Sequence, residues 1–317
     1  MNEFYSLNEA WDFCCDHVLE NGKHVESRVG GSWEVTDYSF KIMRSETNNG
    51  VFLLDSRRNA SPYYAMGELI WYLSGSNKID HIEHYSAKYP YFSDDGITAH
   101  GAYGFRTRYN HRYLTTESFI LDLVDQLKSR KNDRRCFVSL WNSELDFGSN
   151  SKDIPCTLGW MIKLRDDKLH WHTVMRSNDI WLGMPYDIWC FSQIQEIIAN
   201  CCDVGVGDYT HTVGSLHIYD RNEPAIQQRR NAVQHYESES MNDMLLEDVV
   251  QLVQAEESIR LNKSHVSNWA PVSEFASDAI QLIYEWTTKD FSESIMCCDS
   301  LKRARRMYLD AQKNSNT

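Results

Sequence analysis

Between Ser61 and Gly75 the chain reads PYYAMGELIWYLS, with Glu68 as its one charged residue. A helix that is apolar around most of its circumference has no face to give to water, so other elements of a sizeable core must enclose it. At 317 residues the chain is long enough to build that core, as one large domain or two modest ones. Its 42% hydrophobic and 24% charged content is ordinary globular composition and argues against a disordered chain. The spacing predicts a buried helix over 62–74, ending near Gly75.

Other elements follow from local signals. Ser6 with Glu9 is a capping box, and Ala10, Trp11, Cys14 and Val18 recur at helical spacing, predicting a helix over 7–20. SRVGGSWEVTDYSFKIM reads as a Gly-rich turn entering a strand. Residues 76–115 are polar and aromatic with few periodic cues and read as loop. ESFILDLVDQLKSR is an amphipathic helix. Strands are expected at 136–141, 157–164, 169–175 and 212–219, with a helix over 187–202 that VGVGD stops. From about 223 the segments turn long, charged and helical. The expected division is a core over 1–222 and a helical extension over 223–317, packed on the same domain.

The net charge is −13, from 32 Lys and Arg against 45 Asp and Glu. Gripping DNA or RNA by its phosphates calls for a basic face, so nucleic acid is not expected as the main partner. A small anion can still bind where a few arginines converge. Six of the nine cysteines form the adjacent pairs Cys14-Cys15, Cys201-Cys202 and Cys297-Cys298, which bridge only with strain. No C-x-x-C occurs, so no zinc ribbon and no metal site are expected. MNEFYSLNEAWDF lacks the regions of a signal peptide, and no run approaches the ~18 apolar residues of a membrane span. A reduced, cytoplasmic protein is expected.

Three short stretches carry reactive or charged side chains. DRRC sets Arg134 and Arg135 at the entrance to a strand, DIPCT places Cys156 after Pro155 in a loop, and MRSNDIWLGMPYD gathers Arg176, Asn178, Asp179 and Asp187 around a turn. Singly, each has an ordinary reading: arginine pairs are mostly solvated, a lone cysteine is mostly a small hydrophobe, and Asp beside Gly and Pro mostly closes a turn. Their order and spacing say more. From Arg134 to Tyr219 the chain resembles the thymidylate synthase family, whose signature runs Arg-Arg, Pro-Cys, Arg-Ser-x-Asp, Gly-x-Pro and His-x-Tyr. DRRCFVSLWN, IPCT, MRSNDIWLGMPYDI and GSLHIY follow in that order with similar gaps. Upstream, ESRVGG resembles the arginine loop, GELIWYLSGS the Glu-bearing helix and HGAYGFR the pocket floor, so the resemblance covers about residues 6–222.

That resemblance implies an α+β fold, a large twisted mixed sheet packed with helices, and a set of roles. Cys156 is the nucleophile that adds to C6 of a pyrimidine nucleotide and turns C5 into a carbanion; a nearby arginine is expected to lower its pKa. Arg28, Arg134, Arg135 and Arg176 hold the 5′-phosphate, matching guanidinium forks to phosphate oxygens. The Arg134–Arg135 pair reaches into a partner subunit's pocket, which implies a homodimer. Ser177 and Asp179 belong to the nucleotide-binding set, and His217 with Tyr219 binds the 3′-hydroxyl. Glu68 organises water and protons near C5, and Tyr103 assists removal of the C5 proton. The one-carbon donor is 5,10-methylenetetrahydrofolate, with Tyr89, Tyr91, Phe92, Asp179 and Gly183 at folate-binding positions.

Two departures sharpen the expectation. Where synthases have Asn after the Gly-x-Pro turn, this chain has Asp187. An amide suits uracil, whereas an aspartic acid sharing a proton with N3 suits cytosine. Deoxycytidylate hydroxymethylases, a branch of the family, have Asp there and Cys-Thr where synthases have Cys-His; this chain has Cys156-Thr157. The ending KNSNT lacks the apolar tail that shields the reaction from water, so hydroxymethylation of dCMP is expected. Three alternatives stay open: methyl transfer to dUMP or dCMP, a ribonucleotide substrate, and a non-catalytic nucleotide-binding protein. Retention of Cys156 with its arginines counts against the last.

Overall fold

Helix ends follow their local chemistry. The Ser6 hydroxyl accepts from Glu9 N at 3.1 Å, and the Glu9 carboxylate reaches back to Tyr5 N at 2.8 Å, so the opening helix starts at Leu7. Ser61 caps the apolar helix by accepting from Tyr64 N, with Pro62 at its first position. Gly75, at φ +66°, ends it in the left-handed conformation that glycine adopts freely.

The computed structural model describes residues 1–44, 52, 58–229, 242–292 and 296–315. The first half runs β1 (Asn2–Phe4), α1 (Leu7–Asn21), β2 (Lys23–Ser27), β3 (Gly30–Ile42), α2 (Pro62–Ser74), α3 (Ile79–Glu83), α4 (Tyr103–Asn110) and α5 (Thr116–Ser129). Next come β4 (Phe137–Ser139), α6 (Ser143–Asp146), β5 (Thr157–Arg165), β6 (Lys168–Met175), β7 (Asn178–Asp179), α7 (Met184–Cys202) and β8 (Gly205–Tyr219). The chain closes on α8 (Glu223–Arg229), α9 (Leu246–Arg260), α10 (Glu274–Thr288) and α11 (Asp299–Ser315).

The fold is α+β, built on one mixed eight-stranded sheet in the order β1-β3-β8-β6-β5-β4, with β2 on β3 and β7 on β8. β8 pairs antiparallel with β3, setting Glu34 opposite His217 and Ser32 opposite Tyr219, and parallel with β6 and β7. Helices α2 and α7 lie together, and α7 packs on β6 and β8. Trp11, Trp71, Trp171, Phe40 and Phe191 are among the fully buried side chains of this core.

Some boundaries differ from the sequence reading. The region 76–115 contains α3, α4 and a 3-10 turn at Tyr89–Phe92, pieces too short to show a period of their own. Helix α4 lies so close to α2 that a Cβ on Gly104 would stand 2.1 Å from Tyr72 O. The strand expected over 136–141 is only Phe137–Ser139. Helix α7 begins at Met184 rather than 187, because Pro185 suits a first turn. VGVGD does stop α7, yet β8 starts within it at Gly205, and Gly207, Tyr209, His211 and Val213 alternate inward. Gly207 is needed there, since a Cβ would stand 2.8 Å from the His170 ring.

The C-terminal helices enclose α2. Helices α9, α10 and α11 all pack against it. Tyr63 Oη donates to Glu285 Oε2 at 3.1 Å, and Tyr85 Oη donates to Glu256 Oε1 at 3.1 Å. Among the described residues, no helix is long and apolar enough to cross a membrane.

Candidate active site

The loop ahead of β5 is held from two sides. Arg176, just past β6, donates from Nη2 to Ile154 O at 2.8 Å and from Nε to Pro155 O at 3.0 Å. Its own backbone N–H donates to Cys156 O at 2.8 Å. Arg28, in the β2–β3 turn, donates to Lys152 O at 3.2 Å. Two exposed guanidinium groups therefore converge on the loop that carries the thiol. The β5–β6 register slips between Thr157 and Gly159, a bulge of the kind that re-aims side chains beside active sites.

Beside Cys156 lies a cavity of about 130 Å³, lined among others by Glu68, Tyr89, Tyr103, Asp153 and Asp187. The tertiary fold thus gathers a residue from mid-α2, one from the 3-10 turn, the first residue of α4 and one from the first turn of α7. Trp71 and Tyr72 also line it. Sequence reasoning missed Trp71, Tyr72 and Asp153, although Asp153 sits inside the quoted DIPCT; an acidic residue in a loop carries no signal of its own.

Burial sets the electrostatics. Glu68 is raised to about 7 by burial, against which the hydrogen bonds from Tyr64, Tyr72 and Cys190 pull downward. Tyr64 Oη donates to Glu68 Oε1 at 2.9 Å, and Cys190 Sγ lies 3.8 Å from Oε2. Asp153, which accepts from Gly101 N at 2.8 Å, is raised to about 6, again mainly by burial. Burial and then the neighbouring Glu68 carboxyl push Asp187 well above the usual carboxylate range. Three carboxyl groups in one cavity therefore hold protons more tightly than they would in water.

The thiol departs from expectation. Burial pushes Cys156 above the ordinary thiol value; Arg176 opposes the rise, while Asp187, Asp153 and Asp179 add to it. The arginine acts in the expected direction, but desolvation outweighs it. Tyr103 Oη accepts from Thr157 N at 3.3 Å, and burial keeps it a neutral phenol.

Further residues lie around this centre. Strand β7 aligns Asp179 with His217 of β8, and Asp179 Oδ1 accepts from Trp181 N at 2.8 Å. Burial raises the Asp179 pKa, opposed by His217. The His217 and Tyr219 rings stack edge to face at 4.9 Å, with Arg221 over Tyr219 at 4.0 Å. Ser177 is half-buried between β6 and β7, and Gly183 precedes α7. Tyr91 and Phe92, by contrast, are 82% and 49% exposed and do not line the cavity. Neither does the arginine pair: Arg134 is exposed, and the Arg135 side chain, 80% exposed, clasps Asp133 of its own chain at 2.9 Å.

Three phage proteins named deoxyuridylate hydroxymethyltransferase are similar to the chain. That of Pseudomonas phage M6 is 32% identical over 52% of this chain and 46% of its own length. That of Delftia phage PhiW-14 is 30% identical over 62% and 56%, and that of Bacillus phage SP01 is 32% identical over 51% and 44%. The chain spans about half the length of these curated relatives. A family model described as thymidylate synthase matches residues 9–291, from α1 through α10, taking in the cavity, the thiol and the arginines that hold its loop. The chain belongs to the thymidylate synthase family.

Proposed function

We propose that the protein is an enzyme that transfers a one-carbon unit to C5 of dCMP and adds water to it, giving 5-hydroxymethyl-dCMP. The observation that carries this reading is Asp187: a carboxyl whose hold on its proton burial strengthens, on the same cavity as Cys156. A neutral aspartic acid donates through one oxygen and accepts through the other, the complement of cytosine N3 and its exocyclic amine.

The residues support a route through a thioether. The Cys156 sulfur, once deprotonated, bonds to C6 of the base and leaves an electron pair at C5. Glu68, near neutrality in its pKa, can pass a proton to or from the base, and Tyr103, a neutral phenol on the same cavity, would assist removal of the C5 proton by orienting the group that takes it. The C5 electron pair bonds to the one-carbon unit, loss of the C5 proton lets the donor nitrogen leave, water adds to the exocyclic methylene that remains, and re-formation of the C5–C6 double bond expels the Cys156 thiolate. Arg28 and Arg176 would meet the phosphate from this chain, and Arg134 with Arg135 from a second copy; His217 and Tyr219 would meet the sugar.

The co-substrate that fits is 5,10-methylenetetrahydrofolate, which supplies the carbon and leaves as tetrahydrofolate. Trp71 and Tyr89 meet edge to face at 5.2 Å on the cavity wall, and the buried Trp71 Nε1 has no protein acceptor among the described residues. Aromatic faces and a spare donor suit a flat heterocycle rich in acceptors. Asp179 and Gly183 would lie at its edge, with Tyr91 and Phe92 toward the entrance.

A second reading is hydroxymethylation of dUMP, favoured by the names of the three phage relatives. Incubation with methylenetetrahydrofolate and each of dCMP, CMP, dUMP and UMP, followed by product mass and assay for dihydrofolate, separates the readings. Hydroxymethyl-dCMP without dihydrofolate is expected; a methylated product or a preference for uracil would overturn the proposal.

A further inference from the structure

Behind Asp187 runs a polar chain that none of these roles uses. His211 on β8 is fully buried, and burial lowers its pKa to about 3, so its imidazole is neutral and has one N–H. Its Nε2 lies 3.0 Å from Asn178 Oδ1, an atom that only accepts, so the hydrogen is on Nε2. The Tyr209 hydroxyl stands 3.3 Å from Nδ1 on the other side. With its oxygen engaged by His211, Asn178 turns Nδ2 toward α7 and donates to Asp187 Oδ2 at 2.8 Å. Asn178 is itself only 3% exposed. A Cβ on Gly183 would stand 3.2 Å from both atoms of that bond, so the cage around it is close.

We infer that Asn178, oriented by His211, is a specificity-determining positioning residue that decides which oxygen of Asp187 carries the proton. A carbonyl oxygen is a better acceptor than a carboxylic hydroxyl, so donation to Oδ2 leaves the proton on Oδ1. Oδ1–H then faces N3 and Oδ2 accepts the exocyclic amine, the order cytosine needs. The opposite placement would offer a donor to O4 and an acceptor to N3–H, the order uracil needs. Asn178 thus disfavours uracil without touching the base. The inference rests on the reading of Asp187 as the group that recognises cytosine.

The test is the ratio of kcat/KM for dCMP to that for dUMP, in which general damage cancels. Asn178→Leu and His211→Leu should each lower the ratio about tenfold or more, the worth of one well-made hydrogen bond. His211→Gln, whose amide can still donate to Asn178, should restore most of it. The double Asn178→Leu/His211→Leu variant removes both members of the His211–Asn178 pair, so neither is left facing a lost partner, and should still show the lowered ratio. In the wild-type protein, ¹⁵N shifts of His211 should report hydrogen on Nε2, a readout that needs no variant to fold. A wild-type preference for dUMP would overturn the cytosine reading and this inference with it. A wild-type dCMP preference unmoved by the leucine variants, or hydrogen on Nδ1, would overturn the positioning role alone.

Discussion

Tyr64 Oη donates to Glu68 Oε1 across 2.9 Å, one turn apart on the helix that the core encloses. Burial raises Glu68 to about 7, and this bond pulls the other way because it favours the charged form. Tyr64→Phe removes the donor, so the Glu68 pKa should rise further. The pH–rate profile is expected to carry an inflection near 7 that moves upward in the variant. An inflection that stays put or moves down would detach it from Glu68.

The same carboxyl links stability to pH. Its pKa is raised from 4.5 to about 7 on folding, so the folded state binds the proton more tightly. That contribution is full below the unfolded value and is lost as pH climbs through the folded one. Glu68→Gln should therefore be more stable than wild type above about pH 8, by at most about 3 kcal/mol, with the difference vanishing toward pH 4.5. Urea melts at the two pH values test this, and Glu68→Gln should also lose at least about a hundredfold in kcat.

Cys156→Ser should abolish turnover while nucleotide binding stays within a few-fold, since phosphate and sugar contacts do not involve the thiol. Residual activity above about a thousandth of wild type would be incompatible with covalent catalysis through Cys156. Release of tritium from C5-labelled nucleotide during wild-type turnover is the companion measurement.

The Arg135 side chain is 80% exposed and does not line its own chain's cavity. Inactive Arg135→Ala mixed with inactive Cys156→Ser should regain activity if the arginine serves a second subunit, because each mixed dimer holds one intact site. No recovery, in a preparation shown to exchange subunits, would return the arginine to its own chain or remove it from the site.

Asp187→Asn should weaken dCMP turnover and raise activity on dUMP, shifting the kcat/KM ratio on the order of a hundredfold. In the wild type, burial raises the Asp187 pKa well above the ordinary range, so the preference for dCMP should fade as pH rises through it and the shared proton is lost. Equal loss of both substrates in Asp187→Asn would make the residue structural.

How much of this was legible in the chain depends on the range of the interaction. Ser6, Ser61 and Gly75 end their helices through contacts within a few residues, and the sequence carries such signals openly. The ordered motifs around Cys156, Arg176, Asp187 and His217 likewise lie along one line of text, as does the demand that the apolar helix over 62–74 be enclosed. Only the tertiary structure decided what encloses it: α9, α10 and α11, from the far end of the chain. Only folding brought Glu68, Asp153 and Asp187 to one cavity, where shared desolvation raises all three and outweighs Arg176 at the thiol. The link from His211 through Asn178 to Asp187 joins two strands and a helix at separations of 33 and 9 residues. No local pattern marks it, because hydrogen-bond partners and burial are properties of where side chains end up in space, and periodicity reports only which way each one leaves the backbone.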